Sequence, residues 1–308
     1  MSVKRIGLAL GSGAARGWGH IGVIRALERR GIEPAVVCGS SMGAMIAAAF
    51  ACGQMNGLAE WASKLNNRHV LRLMDFSLSS GGLIQGDRLM EELAVFVADM
   101  SIESLPVAYA AVATDLDNGK EVWLREGSLP LAVRASMALP GLFAPVCRDG
   151  RWLVDGGLVN PVPVTTCRAL GAGLVIGVNL NGEVAGRKAR FAGRETRLSL
   201  SLPENELFQR ISEGLAPLRE QVQAWMPDED DEPRRPNLFE AIAGSIDIMQ
   251  DRVTRNRLSE DPPDVLIEPR LGHMGLMEFD RASEAMEEGE AAVEAAERDG
   301  ALKVVLGR

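Results

Sequence analysis

Histidine is scarce in this chain, with three in 308 residues, His20, His69 and His273. The four cysteines, Cys38, Cys52, Cys147 and Cys167, are scattered and form no C-x-x-C pair. These two scarcities argue against a zinc site, which needs several such ligands at close spacing. The separated thiols read as the reduced, buried groups of a cytosolic protein. No run of about 18 uninterrupted apolar residues occurs, so no transmembrane helix is expected. Ile6–Leu10, behind a basic pair, is too short for the core of a signal peptide. Positive charge is also in deficit: 33 Lys and Arg stand against 42 Asp and Glu, a net charge of −9 with a pI near 5.1. A nucleic-acid partner would need a basic patch and is not expected. Strong attachment to an anionic membrane is disfavoured for the same reason, so any lipid contact has to be apolar. What is present, 46% hydrophobic and 24% charged residues, can bury a sizeable core, and nothing points to wholesale disorder.

Periodicity divides the chain into alternating strands and helices. Val3–Leu10 reads as a buried strand, and a Gly-rich turn leads from it into a helical pattern at Gly17–Arg30. Pro34–Cys38 is a second short apolar run, and Gly39–Gly43 turns it into the almost wholly apolar helix Ala44–Cys52. Strand, turn and helix thus occur twice in the first fifty residues, the mark of a mostly parallel sheet flanked by helices. Further strands are expected at Val107–Thr114, Lys120–Leu124, Trp152–Val154, Leu174–Asn179 and Asp264–Glu268, with a helix at Ser128–Met137. Asp117-Asn118-Gly119 is a hairpin signal between two of the strands. After Asn181 the character changes. Gly182–Arg197 is polar and basic, and Pro227–Pro236 is a charged, proline-bounded surface loop. Helical stretches at Asn205–Trp225 and Leu238–Leu258 flank that loop, and an amphipathic helix is expected at Glu278–Arg298. The organisation expected is a βα-rich core over residues 1–180. A helical extension with a charged loop, 181–308, is expected to pack on the same domain.

Three motifs carry chemistry. Gly39-Ser40-Ser41-Met42-Gly43 is a G-x-S-x-G sequence between a strand and an apolar helix. A nucleophilic serine needs a tight turn that exposes its hydroxyl, and glycines on either side let strand and helix close around it. The helix that follows brings its amides and positive dipole end to a developing oxyanion. Alone, the pentapeptide is equally compatible with a plain turn. Gly11-Ser12-Gly13-Ala14-Ala15-Arg16-Gly17 follows the first strand, and its small residues let backbone N–H groups approach an anion. It reads as an oxyanion hole, as a dinucleotide-binding G-x-G-x-x-G turn or as a merely structural turn. Against the dinucleotide reading, Arg16 occupies the third glycine position. Cys38-Gly39-Ser40 also stands where an acidic ribose contact would end the second strand. Asp155-Gly156-Gly157 follows Trp152-Leu153-Val154 and would by itself be called a turn.

A serine nucleophile needs a base, and the histidines serve poorly. His20 lies in the first helix pattern as a packing residue, His69 in a polar Asn-Asn-Arg stretch, and His273 alone has the chain order of an α/β-hydrolase triad. A carboxylate can replace the imidazole. Asp155 within reach of the Ser41 hydroxyl could take its proton and return it to the leaving group. A carboxylate is a weak base, so its site must be partly dry or the oxyanion hole must carry much of the catalysis.

Taken together, a strand, a Gly-rich turn ending in Arg-Gly, a G-x-S-x-G elbow and a later D-G-G resemble the signature of the patatin-like phospholipases. The likeness runs from about Ile6 to about Leu180 and looks closest to a compact bacterial RssA-like branch related to the neuropathy-target-esterase group. It implies a three-layer α/β fold with a mostly parallel central sheet flanked by helices. It also implies Ser41 as nucleophile, Asp155 as its dyad partner, and an oxyanion hole built from Gly11, Ser12, Gly13, Ala14, Ala15 and Arg16. Gly39 and Gly43 would shape the elbow. Ser12 and Ala14 stand where the family often has glycine. The activity implied is metal- and cofactor-free hydrolysis of a phospholipid or lysophospholipid ester through an acyl-enzyme. Met42, Met45, Ile46 and Leu139-Pro140-Gly141-Leu142-Phe143 are candidates to hold the acyl chain, and residues 182–236 to form a lid. The location implied is cytoplasmic, with transient peripheral contact at the inner membrane surface. A regulatory or partner-binding protein on the same scaffold, with a silent Ser41, is the competing reading.

Overall fold

The first strand, β1 (Ile6–Leu10), is apolar throughout, as a strand covered on both faces must be. The computed structural model describes residues 5–73, 87–97, 99–182 and 238–307. In it β1 is joined by β2 (Val36–Ser40), β3 (Ala108–Asp115), β4 (Glu121–Leu124), β5 (Val146–Arg148), β6 (Arg151–Asp155), β7 (Leu174–Val178) and β8 (Val265–Ile267). They form one eight-stranded sheet of order β5-β6-β3-β2-β1-β7-β8, with β4 also paired to β3. The pairs along β3-β2-β1-β7-β8 are parallel. Those of β4 and β6 with β3, and of β5 with β6, are antiparallel. The mostly parallel sheet expected from the sequence is therefore present, with a mixed edge.

The helices are α1 (Gly19–Glu28), α2 (Met42–Ala51), α3 (Met55–Ser63), α4 (Asn67–Leu73), α5 (Asp87–Leu93), α6 (Leu129–Ser136), α7 (Val164–Ala169), α8 (Leu238–Glu260) and α9 (Ala282–Arg298). Strand residues alternate between two cores because their side chains alternate between faces. Leu8, Leu10, Val37 and Ile176 pack with Ile21, Ile24, Met45 and Ile46 of α1 and α2. Ala9, Val36, Cys38 and Val175 pack with Val164 and Cys167 of α7, and Leu258 of α8 leans on that face. Each fully buried Leu or Ile contributes about 1.5–3 kcal/mol of transfer free energy. That burial fixes the register, since a slip of one residue would exchange the two faces.

The described residues before 183 and those from Ile242 onward belong to one compact unit. Within it, β8 extends the sheet beside β7 and α9 crosses α1 at very close range. A Cβ on Gly22 would lie 1.9 Å from Met286 O, and one on Gly289 would lie 2.1 Å from Gly19 O. Only glycine permits that approach.

Asp117-Asn118-Gly119 does make the β3–β4 hairpin, with Lys120 N donating to Asn118 Oδ1 and Gly119 at φ 68°. The β5–β6 hairpin is an addition to the sequence reading. Asp149 (φ 52°) and Gly150 (φ 74°) turn it, the same Asp-Gly grammar that marks two-residue hairpins. Helices α3, α4, α5 and α7 are also additions. The helical stretch expected at Asn205–Trp225, the loop at Pro227–Pro236 and the lid at 182–236, apart from Gly182, lie outside the described residues. No helix among the described residues is long and apolar enough to cross a membrane.

Gly289→Ala is expected to lower unfolding stability by about 1–3 kcal/mol through overpacking. Gly300→Ala, which relieves no crowding but must hold φ 78°, is expected to lose about 1 kcal/mol. Urea unfolding that ranks the two equally would contradict the close crossing of α1 and α9.

Candidate active site

Two residues far apart in sequence meet because β3 changes partners along one edge. Residues Ala111–Thr114 pair with β4, which occupies the other edge. On the first edge β2 pairs as far as Ser40 opposite Val112, and β6 takes over with Asp155 opposite Ala113. The residue after Ser40 and the last residue of β6 are thereby brought together. Ser41 Oγ donates to Asp155 Oδ2 at 2.6 Å.

The elbow is tight. Ser41 sits at φ 57°, ψ −126° as the N-cap of α2, a conformation that costs a non-glycine residue roughly 1–2 kcal/mol. A Cβ on Gly39 would lie 2.3 Å from the Gly43 carbonyl carbon, and one on Gly43 would lie 2.2 Å from Leu10 O. Both glycines are therefore required where strand and helix close around the serine. Two hydroxyls hold the strained peptide. Ser136 Oγ accepts from Ser41 N at 2.9 Å and donates to Val112 O at 2.5 Å, and Ser40 Oγ donates to Asn160 O at 2.5 Å.

Asp155 is 0% exposed, and each of its carboxylate oxygens has a donor. Oδ2 accepts from Ser41 Oγ, and Oδ1 accepts from Gly157 N at 2.7 Å. Its own N–H donates to Ala138 O, and its carbonyl accepts from Thr114 Oγ1. A Cβ on Gly156 would lie 2.1 Å from Val112 O, and one on Gly157 would lie 2.9 Å from Ser12 Cβ. That crowding explains the paired glycines after the aspartate. Burial pushes the carboxyl up to about 6, against the two hydrogen bonds that favour its charge. The site thus contains a carboxylate that is a stronger base than an exposed one, as the sequence argument required.

The Gly-rich turn carries fewer free donors than expected. Gly11 N donates to Val178 O, Ser12 N to Pro161 O, Ala15 N to Leu276 O and Arg16 N to Gly13 O. Those four amides, and the Arg16 side chain, are corrections to the expected oxyanion set, because each already has a carbonyl or carboxylate partner. The Arg16 guanidinium is buried, with Nη2 donating to both carboxylate oxygens of Asp247 at 2.9 and 3.0 Å. Among the described residues Gly13 and Ala14 alone in Gly11–Arg16 have an N–H with no acceptor. Ala14 is at φ 47°.

Ala14 and Ser41 lie in the wall of a pocket whose other lining is apolar, including Trp18, Trp61, Leu73, Leu93 and Phe279. Met42, Leu139, Leu142 and Phe143 line it as expected. Met45 and Ile46 do not; they are fully buried in the core beneath α2. None of the histidines hydrogen-bonds Ser41. His20 is buried with Nε2 against Gly11 O at 2.7 Å, and desolvation lowers its pKa to about 4. It is a neutral packing residue that donates to the turn. His69 pairs with Glu92 and His273 with Glu284. All four cysteines are free thiols, with Cys147 exposed. No cluster of metal-ligating side chains occurs among the described residues.

The Patatin-like phospholipase family model matches residues 8–168, a span that contains the turn, the elbow and Asp155-Gly156-Gly157. This chain belongs to the patatin-like phospholipase family. The family's chemistry is the hydrolysis of lipid acyl esters. An uncharacterized NTE family protein of Mycobacterium tuberculosis is 37% identical over 94% of this chain and 90% of its own length. The likeness therefore continues past the family model into α8 and α9. Neuropathy target esterase sws of Drosophila melanogaster is 33% identical over 58% of this chain, within 13% of that protein. Human patatin-like phospholipase domain-containing protein 6 is 34% identical over the same share of this chain and 13% of its own. The solved structure of VipD from Legionella pneumophila covers 95% of this chain and 66% of its own at a TM-score of 0.49 and 15% identity.

The supporting hydroxyls of Ser40, Thr114 and Ser136 were not singled out from sequence, and neither were Asn160, Asn181, Asp247 and Gln250. A serine in a helix or an acid on a charged helix carries no local mark of what it will face.

Burying Asp155 works against stability. The unfolded carboxyl ionises near its ordinary 3.8 and the folded one near 6, so the unfolded state sheds its proton first as pH rises. The wild type loses stability through that window, by about 3 kcal/mol at roughly 1.4 kcal/mol per pKa unit, and below it the loss is absent. Asp155→Asn is therefore expected to melt above wild type at about pH 8 and level with it near pH 4. A difference that does not vary with pH would contradict the buried, raised carboxyl.

Proposed function

We propose that this protein is a serine esterase that cleaves acyl esters of phospholipids or lysophospholipids through an acyl-enzyme, with Ser41 as nucleophile and Asp155 as general base. The observation that carries the reading is the 2.6 Å hydrogen bond from Ser41 Oγ to the buried Asp155 carboxylate at the wall of an otherwise apolar pocket. Ser41 Oγ attacks the ester carbonyl as its proton passes to Asp155 Oδ2. The free N–H groups of Gly13 and Ala14 hold the oxyanion, together with the N-terminus of α2. Asp155 then returns the proton to the departing alcohol oxygen. In the second half a water molecule gives its proton to Asp155 and attacks the acyl-enzyme, and the proton returns to Ser41 as the fatty acid leaves. The apolar pocket receives the acyl chain, and about 0.8 kcal/mol per buried methylene favours longer chains until it is filled. A lipid drawn from a bilayer requires transient peripheral contact, made through apolar surface given the net charge of −9.

Labelling with a fluorophosphonate probe tests the reading directly. Wild type is expected to label, Ser41→Ala not at all, and Asp155→Asn at least about a hundredfold more slowly, the scale of general-base removal. A folded wild type that stays unlabelled and hydrolyses no acyl ester would favour the regulatory scaffold instead. The base must be ionised, so kcat/KM is expected to fall as pH drops through about 6. A profile flat from about pH 5 to 8 would remove Asp155 from that role.

A further inference from the structure

The two free amides lie in a turn closed by one bond of its own, from Arg16 N to Gly13 O. Gly13 can rotate freely in an unfolded chain, and Ala14 is held at φ 47°, where an alanine does not rest by preference. Something outside the turn must keep both N–H groups aimed at one point. Backbone bonds from Ser12 N to Pro161 O and from Ala15 N to Leu276 O hold its flanks, and flanking side chains add a second set of anchors. Ser12 Oγ donates to Gln250 Oε1 at 2.9 Å. Arg16 Nη2 donates to both carboxylate oxygens of Asp247. Asp247 and Gln250 are three apart on α8 and so share one face. Asn181 lies between them. It accepts from Arg16 Nη1 at 2.5 Å, and its Nδ2 approaches Ser12 O at 3.3 Å and Gln250 Oε1 at 3.4 Å.

Helix α8 thus clasps the turn at both ends, more than 230 positions along the chain. It does so through polar side chains that are themselves buried: Asp247 is 7% exposed, Gln250 5% and Asn181 2%. Its exposed face is mixed, with Ile248 at 65% and Met249 at 51% exposure beside Arg252, Arg255 and Asn256.

We propose that Asp247 and Gln250 are positioning residues for the oxyanion, acting through Arg16 and Ser12 to hold the Gly13 and Ala14 amides in place. This rests on the esterase reading of Ser41. The donors are realised only when charge develops on the carbonyl oxygen, so loosening them lowers kcat and leaves KM nearly unchanged.

The test uses the full chain, a soluble short-chain p-nitrophenyl ester and a trifluoromethyl ketone, which forms a tetrahedral oxyanion on serine. Gln250→Met keeps bulk and removes the acceptor; Asp247→Asn keeps shape and removes the charge. Each is expected to lower kcat about tenfold or more with KM within about twofold, less than the loss on deleting a donor outright. Ketone inhibition should weaken in proportion to kcat/KM. Ser12→Ala combined with Gln250→Met should be no worse than Gln250→Met alone, because the bond between Ser12 and Gln250 is already absent in that variant. Asp251→Asn, on the same helix and paired with Arg255, should melt lower yet keep kcat. An unchanged kcat in both variants would overturn the proposal. So would a loss that follows melting temperature while ketone affinity stays as in wild type. A wild type inactive on esters and unlabelled at Ser41 would instead overturn the esterase reading, and the proposal with it.

Discussion

The rest of the site depends on one change of partner along β3. Between Val112 and Ala113 the strand passes from pairing with β2 to pairing with β6, and the hydrogen bond between Ser41 and Asp155 forms at that junction. Backbone ladders set the separation of the two side chains, so little rotamer freedom has to be frozen when they meet. The arrangement also explains why β6 must be antiparallel. A parallel strand there would run away from the junction and carry Asp155, its last residue, away from the elbow. The core on both faces of the sheet therefore does more than stabilise the fold. By fixing register it fixes which carboxylate faces which hydroxyl.

Several local costs are concentrated within that junction. Ser41 and Ala14 both hold positive φ, and Asp155 is buried deeply enough to shift its titration. The compensations are polar and specific. The hydroxyls of Ser40, Thr114 and Ser136 each donate to a backbone carbonyl in the junction. Gly157 N and Ser41 Oγ satisfy the two carboxylate oxygens. A buried network of this kind is stable only when nearly every member has its partner. The close contacts at Gly39, Gly43, Gly156 and Gly157 show why small residues recur around the two functional side chains. At Gly39, Gly43 and Gly156 backbone touches backbone, and at Gly157 backbone touches the side chains of Gln250 and Ser12.

Much of this was legible in the sequence, and the reasons can be stated residue by residue. Strands and helices with strict periodicity were readable because burial imposes the pattern directly, as in Ile6–Leu10 and Met42–Ala51. The meeting of Ser41 with Asp155 was readable because each stands beside glycines, in a G-x-S-x-G and a D-G-G sequence. Arg16 was misassigned because a basic residue at an anion site and a buried structural arginine look identical until its partner is known, and that partner, Asp247, comes from a charged helix far along the chain. The amides of Gly11, Ser12, Ala15 and Arg16 were overcounted for a related reason. Whether an N–H is free depends on carbonyls of Val178, Pro161, Leu276 and Gly13, and three of those four come from elsewhere in the chain. The β5–β6 hairpin is different, since its Asp149-Gly150 turn was as explicit as the one at Asn118-Gly119.

The apolar pocket and the strength of the base are linked. A carboxylate beside water ionises near 4 and removes a serine proton poorly. Burial raises Asp155 to about 6, and its partner Ser41 stands at the wall of the apolar pocket. An acyl chain entering that pocket would displace the remaining water and strengthen every charge interaction around the serine. On the proposed reading, the substrate's apolar part therefore contributes to catalysis as well as to binding, and a polar ester of equal reactivity would gain less. A histidine base would not need this assistance, having a pKa near neutrality in water. A site that relies on aspartate is thus physically suited to substrates that exclude water, and the lipid specificity proposed here follows from the choice of base as much as from the shape of the pocket.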